Sequence, residues 1–289
     1  MAASLGMAAV LLMAAGGCSG NNDSAWSSLN PDTWSNKAHK DDPIVIDVLG
    51  SIGVDVETFG GNVTIEADPK AKAATVSVVR EAKYGWGRSG EGKASLGDIS
   101  VTAGLAAADI QAGGLGQTLR VRVVTGGAEP HLQRAHVHIK APEIDGVRIK
   151  SDDGSVSVSH IEGAVDIEAS NGNVRVASNR AMRQPVTVIN RNGHIDYRIR
   201  GESSADFDAQ TINGRAAADV RYGTVIMQPG SRDDIYRARL NDGTNKVILR
   251  TTNGNIHIAV VPDAEGVVQM RGGPNKPPEE SQEPAAQPG

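Results

Sequence analysis

The stretch VDIEASNGNVRV, residues 165–176, reads as strand, turn and strand around one Asn-Gly pair, and the same frame recurs along the chain. It returns as VDVETFGGNVTI (54–65), VRIKSDDGSVSV (147–158), VTVINRNGHIDY (186–197), FDAQTINGRAAA (207–218) and VILRTTNGNIHI (247–258). Apolar residues stand seven and five positions before each Gly, a small or polar residue three before it, and small or apolar residues two and four after it. Such self-similarity marks a repeat architecture rather than a catalytic signature.

The turn glycines fall at Gly61, Gly154, Gly172, Gly193, Gly214 and Gly254, with gaps of 93, 18, 21, 21 and 40 residues. A repeat near 20 residues that keeps returning to the same apolar columns is what a parallel β-solenoid produces, with coils stacked about 4.8 Å apart. The first gap then holds several units and a Gly-rich insertion, and the last is close to two units. Asp153, Asn171, Asn192 and Asn213 are expected to stack as a polar ladder at one corner, with Asn253 joining one coil later. Each is followed by a Gly free to take the positive φ that a corner needs. Asn-Gly is also a strong signal for a tight antiparallel hairpin, so an antiparallel meander or β-sandwich is the alternative fold.

Composition agrees with short stacked strands. Of 289 residues, 39% are hydrophobic but only 3% aromatic, so Val, Ile, Ala and Thr must fill the interior, with Gly, 34 in all, supplying the corners. A net charge of -5 gives no basic signal for nucleic acid. Residues 1–17 are uncharged and apolar, too short to span a bilayer, and read as a signal peptide ending at the only cysteine, Cys18. The run Ala15-Gly16-Gly17-Cys18 resembles a bacterial lipoprotein box, which implies lipidation of Cys18. Ser19 after it implies the outer membrane. Residues 18–42 read as a flexible tether containing Trp26 and Trp34, residues 43–270 as the repeat domain, and residues 271–289 as a disordered Pro-rich tail.

The repeated columns, the segment VHIKAPEIDGVRIKSDDGSVSVSHIEGAVDIEASNGNVRV (137–176) and the closing TTNGNIHIAVVP (251–262) resemble the bacterial candidate-adhesin, β-strand-repeat domain of unknown function. The resemblance covers residues 44–262. It implies a β-solenoid on an exported or membrane-anchored protein and carries over no catalytic residue.

Several motifs offer chemistry and fall short of it. GRSGEGKA (87–94) has phosphate-loop spacing, but Ala94 stands where Ser or Thr would bind magnesium, and ASLGDISVTAG after it alternates like a strand. The overlapping GWGRSG (85–90) matches dinucleotide-binding glycine spacing without the helix. Both read as a surface loop. His131, His136 and His138 would hold a metal only if His131 or Glu143 folded back, so exposed strand residues are the better reading and no metal or cofactor is expected. Asp152-Asp153 and Asp233-Asp234 read as solvated turns. No nucleophile elbow or carboxylate pair indicates an enzyme. Of the aromatic residues Tyr197, Phe207, Tyr222 and Tyr236, the first two occupy inward columns.

Residues 171–250 carry 12 Arg and 1 Lys against 8 acidic residues, a local charge of +5. Arg180, Arg183, Arg191, Arg198 and Arg200 flank the regular columns and are candidates for holding a polyanion. The competing structural reading pairs arginines with carboxylates of the next coil, as Arg175 with Asp196, both three residues after their Gly. Together these features describe an envelope-anchored, non-catalytic scaffold for adhesion or binding. Its partners would be the membrane through the lipid anchor and an acidic glycan, lipopolysaccharide or envelope protein. A polysaccharide-acting enzyme or lectin, and an accessory subunit of an envelope signalling or transport complex, are the alternatives.

Overall fold

A computed structural model of the chain describes residues 36–85, 88–107 and 116–265. The signal segment, Cys18, both tether tryptophans and the tail at 271–289 lie outside these. Numbered along the chain, the strands form two sheets that face each other. Sheet I contains β3 (Ile52–Thr58), β6 (Ile99–Ala107), β7 (Gln117–Thr125), β9 (Ile144–Ser151), β11 (Ala164–Asn171), β13 (Val186–Asn192), β15 (Ala205–Asn213), β17 (Val225–Met227), β18 (Ile235–Leu240) and β19 (Lys246–Asn253). Sheet II contains β1 (Asn36–Lys40), β2 (Ile44–Ile46), β4 (Val63–Ala67), β5 (Ala74–Lys83), β8 (Gln133–Ala141), β10 (Val156–Ser159), β12 (Val174–Ser178), β14 (Ile195–Ile199), β16 (Ala216–Val220) and β20 (Ile256–Val260).

The two strands flanking each Asn-Gly lie in different sheets, so that pair turns the corner of a coil and closes no hairpin. Thus β11 in sheet I passes through Asn171 and Gly172 into β12 in sheet II, and each pairs in parallel with the matching strand of the next coil. The alternating pattern explains the core: Val165 and Ile167 from sheet I and Val174 and Val176 from sheet II are all buried. Burying one such side chain contributes roughly 1.5–3 kcal/mol. Toward the β15 end of the stack, Phe207 packs between Tyr197 and Tyr236, with ring centroids 6.4 and 6.2 Å away.

The glycines at the corner are fixed by contact with the neighbouring coil. A Cβ on Gly172 would lie 2.3 Å from the carbonyl oxygen of Gly154, and one on Gly193 2.0 Å from that of Gly172. Both residues have positive φ, +115° and +136°. Gly61, Gly154 and Gly254 share the positive φ, but Gly214 does not. It is held to glycine by space alone, since a Cβ there would meet the Gly254 oxygen at 2.0 Å.

Stacking order departs from chain order at both ends. Coil β19–β20 lies between β13–β14 and β15–β16, so Asn253 separates Asn192 from Asn213, and the expected direct neighbours do not meet. The residues between β16 and β19 form β17 and β18, and β18 pairs antiparallel with the outer edge of β15. At the other end β7–β8 forms a coil with no Asn-Gly, stacked on β3–β4 with Gly61 against Ala135. The insertion adds antiparallel pairs, β5 on β8 and β6 on β7.

Two local expectations are corrected. The tether is shorter than residues 18–42, because Asn36–Lys40 pairs antiparallel with β5, where Arg80 also grips Asp41. The 87–94 segment is not all loop, nor is the sequence after it immediately a strand. A helix spans Ser89–Ser95 and a 3-10 turn Leu96–Asp98, closed by bonds from Arg88 to Glu91 and from the Ser95 hydroxyl to the Gly92 carbonyl. Residues 89–94 of the phosphate-loop pattern therefore sit inside a short helix instead of preceding one.

Candidate binding face

Three sets of bonds hold the corner rigid. Asn192 Nδ2 donates to Asn171 Oδ1 at 2.9 Å, Asn253 Nδ2 to Asn192 Oδ1 at 2.7 Å, and Asn213 Nδ2 to Asn253 Oδ1 at 2.7 Å. Just inside, Thr211, Thr251 and Asn190 donate to the glycine carbonyls at Gly254, Gly193 and Gly172. Just beyond the corner, the Asn173 side chain accepts the His194 N–H, His194 Nδ1 accepts that of Asn255, and Asn255 Oδ1 accepts that of Arg215. The four coils from β11–β12 to β15–β16 are thus tied to one another through side chains as well as strands.

On the outer face of sheet I the register sets side chains in rows across the strands. One row runs Arg120, Asp55, Arg148, Asp166 and the next Arg122, Glu57, Lys150, Glu168, alternating in sign from strand to strand. Arg122 reaches Asp55 at 2.8 Å and Glu57 at 3.1 Å, and Arg148 lies 3.8 Å from Asp166. Burial raises the Asp166 carboxyl above its usual range despite Arg148, and Glu168 adds to the effect.

The alternation stops at β13. From there the second row continues as Ile189, Arg250, Gln210 and Ile235, and a shallow groove follows it, bordered by Arg191, Thr252 and Ile212. Ile189 is 46% exposed and Ile212 74%, while Lys150 and Arg191 are exposed and take part in no ion pair among the described residues. Asp208 anchors the groove from the neighbouring row. Burial raises its carboxyl, but bonds from Gln210, Arg250 and Arg237 outweigh that and hold it below its ordinary range. From β9 to β18 the row crosses six strands, about 24 Å at the usual strand spacing.

The five candidate arginines do not form one surface. Arg191 stands at the Asn-Gly end of β13, while Arg180 and Arg183 precede the opposite end of that strand. Arg198 does not project outward as expected: it is 6% exposed and binds Asp196 through Nε at 2.8 Å, folded down beside its own strand neighbour. Arg180 is engaged by Glu162 and Arg200 by Glu202. Arg175 and Asp196 face each other in register, at 4.0 Å. Burial would raise the Asp196 carboxyl, but bonds from His257 and Arg198 hold it below the ordinary range.

His136 and His138 are occupied in structural contacts. His136 accepts the Asn62 N–H and lies 3.3 Å from Glu81, His138 lies 3.8 Å from Glu66, and His131 sits apart in a 3-10 turn. Among the described residues no group of three or more His, Cys, Asp or Glu could hold a metal ion. The groove residues Ile189, Gln210 and Arg250 carry no motif; only the strand order brings them together, so a search along the chain passes over them.

A family model described as Toastrack DUF4097 matches residues 89–259. Two solved structures are similar. One is a candidate cell adhesion protein from Clostridium sporogenes, 12% identical, covering 78% of this chain and 100% of that chain with a TM-score of 0.49. The other is a candidate adhesin from Bacteroides fragilis, 10% identical, covering 77% and 97%, with a TM-score of 0.27. No curated protein matches the chain.

Proposed function

Because this chain belongs to the Toastrack DUF4097 family, a domain of unknown function, we propose that it is a non-catalytic binding scaffold of the bacterial envelope. In this reading Cys18 carries a lipid that anchors it, in the outer membrane, and the stacked coils present the outer face of sheet I to an extended acidic ligand. The observation that carries the proposal is the end of charge alternation at β13. Upstream, each cation on the face has an anion in the next strand. From β13 onward Arg191, exposed and in no ion pair among the described residues, borders a groove floored by Ile189, with Lys150 at its upstream end. A polymer lying along the row would meet the Arg191 cation and an apolar floor at once. The rigid corner would hold that row straight without an ordering cost on binding.

The test is binding of lipopolysaccharide and of an acidic glycan to the purified protein at low and moderate ionic strength, with Arg191→Glu and Lys150→Glu variants. The reading predicts binding that weakens as salt rises, because exposed charges are screened, and that weakens at least about tenfold in the double variant. Absence of binding at low salt, or binding indifferent to salt and to both reversals, contradicts it.

A further inference from the structure

The two sheets have four terminal edges, and three carry features that discourage pairing with another strand. The β1 edge is five residues long and bears Lys40, β16 is five residues long with Asp219 in it, and β17 has three residues. The fourth, β6, is different. Its sequence ISVTAGLAA runs for nine residues with no charge and no proline, while every other described strand of seven or more residues carries at least one charged side chain. One side of β6 pairs antiparallel with β7, and no described strand pairs with the other.

The cover of β6 is also incomplete. Its inward row, Val101, Ala103 and Leu105, packs against the core but is only partly buried, whereas the row beside it in β7, Leu119, Val121 and Val123, is wholly buried. An added strand with small and aliphatic side chains would close this end of the sandwich. We propose that the added strand is β6 of a second copy, paired antiparallel about a two-fold axis through Ala103. That register sets Val101 against Leu105 of the other copy, Thr102 against Gly104 and Ala103 against its own counterpart. Inward residues then meet inward residues, and no charge is buried. A copy of the same strand fits because it is the one described strand of this length that brings no charge into the seam. The pairing would join sheet I of both copies into one continuous sheet, with the two solenoids pointing away from the axis.

The test is light scattering of the full chain carrying Cys18→Ala, alone and with either of two further substitutions. The proposal expects twice the chain mass for the parent. Thr102→Lys, at an exposed outward position, should keep the circular dichroism spectrum and Tm but raise the dimer dissociation constant at least about tenfold, since like charges would sit diagonally across the seam. Ala103→Cys should yield a covalent dimer on mild oxidation, because opposed residues of an antiparallel pair have Cα atoms within disulfide range. A parent that is monomeric while its β6 amides resist hydrogen exchange would mean that another segment of the same chain covers the edge, and overturns the proposal. So does a dimer that persists in Thr102→Lys and does not cross-link through Ala103→Cys.

Discussion

Asn253 donates through Nδ2 to Oδ1 of Asn192 at 2.7 Å across 61 positions of sequence. Asn213, the next repeat after Asn192 along the chain, stands one step further out and bonds to Asn253 instead. A coil from near the C-terminal end is therefore interior to the stack. This exchange of order also makes the groove, because it sets Arg250 beside Ile189 and moves Gln210 one strand away.

Corner glycines provide the clearest stability prediction. Gly172→Val and Gly193→Val each force a β-branched residue into positive φ and drive a Cβ into the carbonyl of the coil below. Backbone strain alone costs about 1–3 kcal/mol, and overpacking adds about 1–3 kcal/mol. Gly126→Ala, where nothing lies within 4 Å of the added Cβ, should change stability by less than about 0.5 kcal/mol. Urea unfolding monitored by circular dichroism measures both. Equal stability of Gly193→Val and Gly126→Ala would remove the steric account of the corner.

The apolar columns and Asn-Gly corners were legible because each coil repeats the same local chemistry, so Val165, Ile167, Val174 and Val176 could be assigned inward from spacing alone. Stack order was not, because Asn213 and Asn253 belong to nearly identical repeats and nothing local says which lies next to Asn192. The first gap, expected to hold several units, holds one coil, β7–β8, which turns through Gly126, Gly127 and a 3-10 turn at Pro130–Leu132 and so lacks the repeated signal. The strand pattern does not reveal that Arg198 folds down, because its bond to Asp196, two residues before it, is a side-chain choice.

Two aspartates on opposite sheets should respond oppositely to pH. The folded-state pKa of Asp196 is depressed, so its ionised form stabilises the fold above its unfolded pKa of about 3.9, and that stability is lost as pH falls through the folded value. Asp196→Asn should cost about 1.5–3 kcal/mol at pH 7, the usual range for bonds to a charged group, with the gap to wild type closing below about pH 4. The Asp166 pKa is raised, so its charge is held against the preference of the fold at neutral pH. Asp166→Asn should therefore lie within about 0.5 kcal/mol of wild type or slightly above it at pH 7, solvent screening keeping the effect small. Denaturant melts of both variants at pH 7 and pH 3.5 provide the check, and an Asp196→Asn gap that widens on acidification contradicts the sign.

Anchoring is tested apart from the fold. Metabolic labelling with a radioactive fatty acid should mark the wild-type protein and leave Cys18→Ala unmarked, since a single lipidated thiol would follow the apolar leader. Equal labelling of the two excludes Cys18 as the attachment point.

The interior position of β19 underlies both the corner ladder and the groove, and disulfide trapping probes it most directly. In a Cys18→Ala background, Thr187→Cys combined with Ile248→Cys places thiols on register partners of adjacent strands, whereas Thr187→Cys combined with Asp208→Cys places them two strands apart. Neighbouring strands lie about 4.8 Å apart, within disulfide range, and a second step doubles that beyond it. Rapid oxidation of the first pair, with no intramolecular bond in the second, is the result expected. A bond in the second pair and none in the first would put β15 beside β13 and contradict the stacking order.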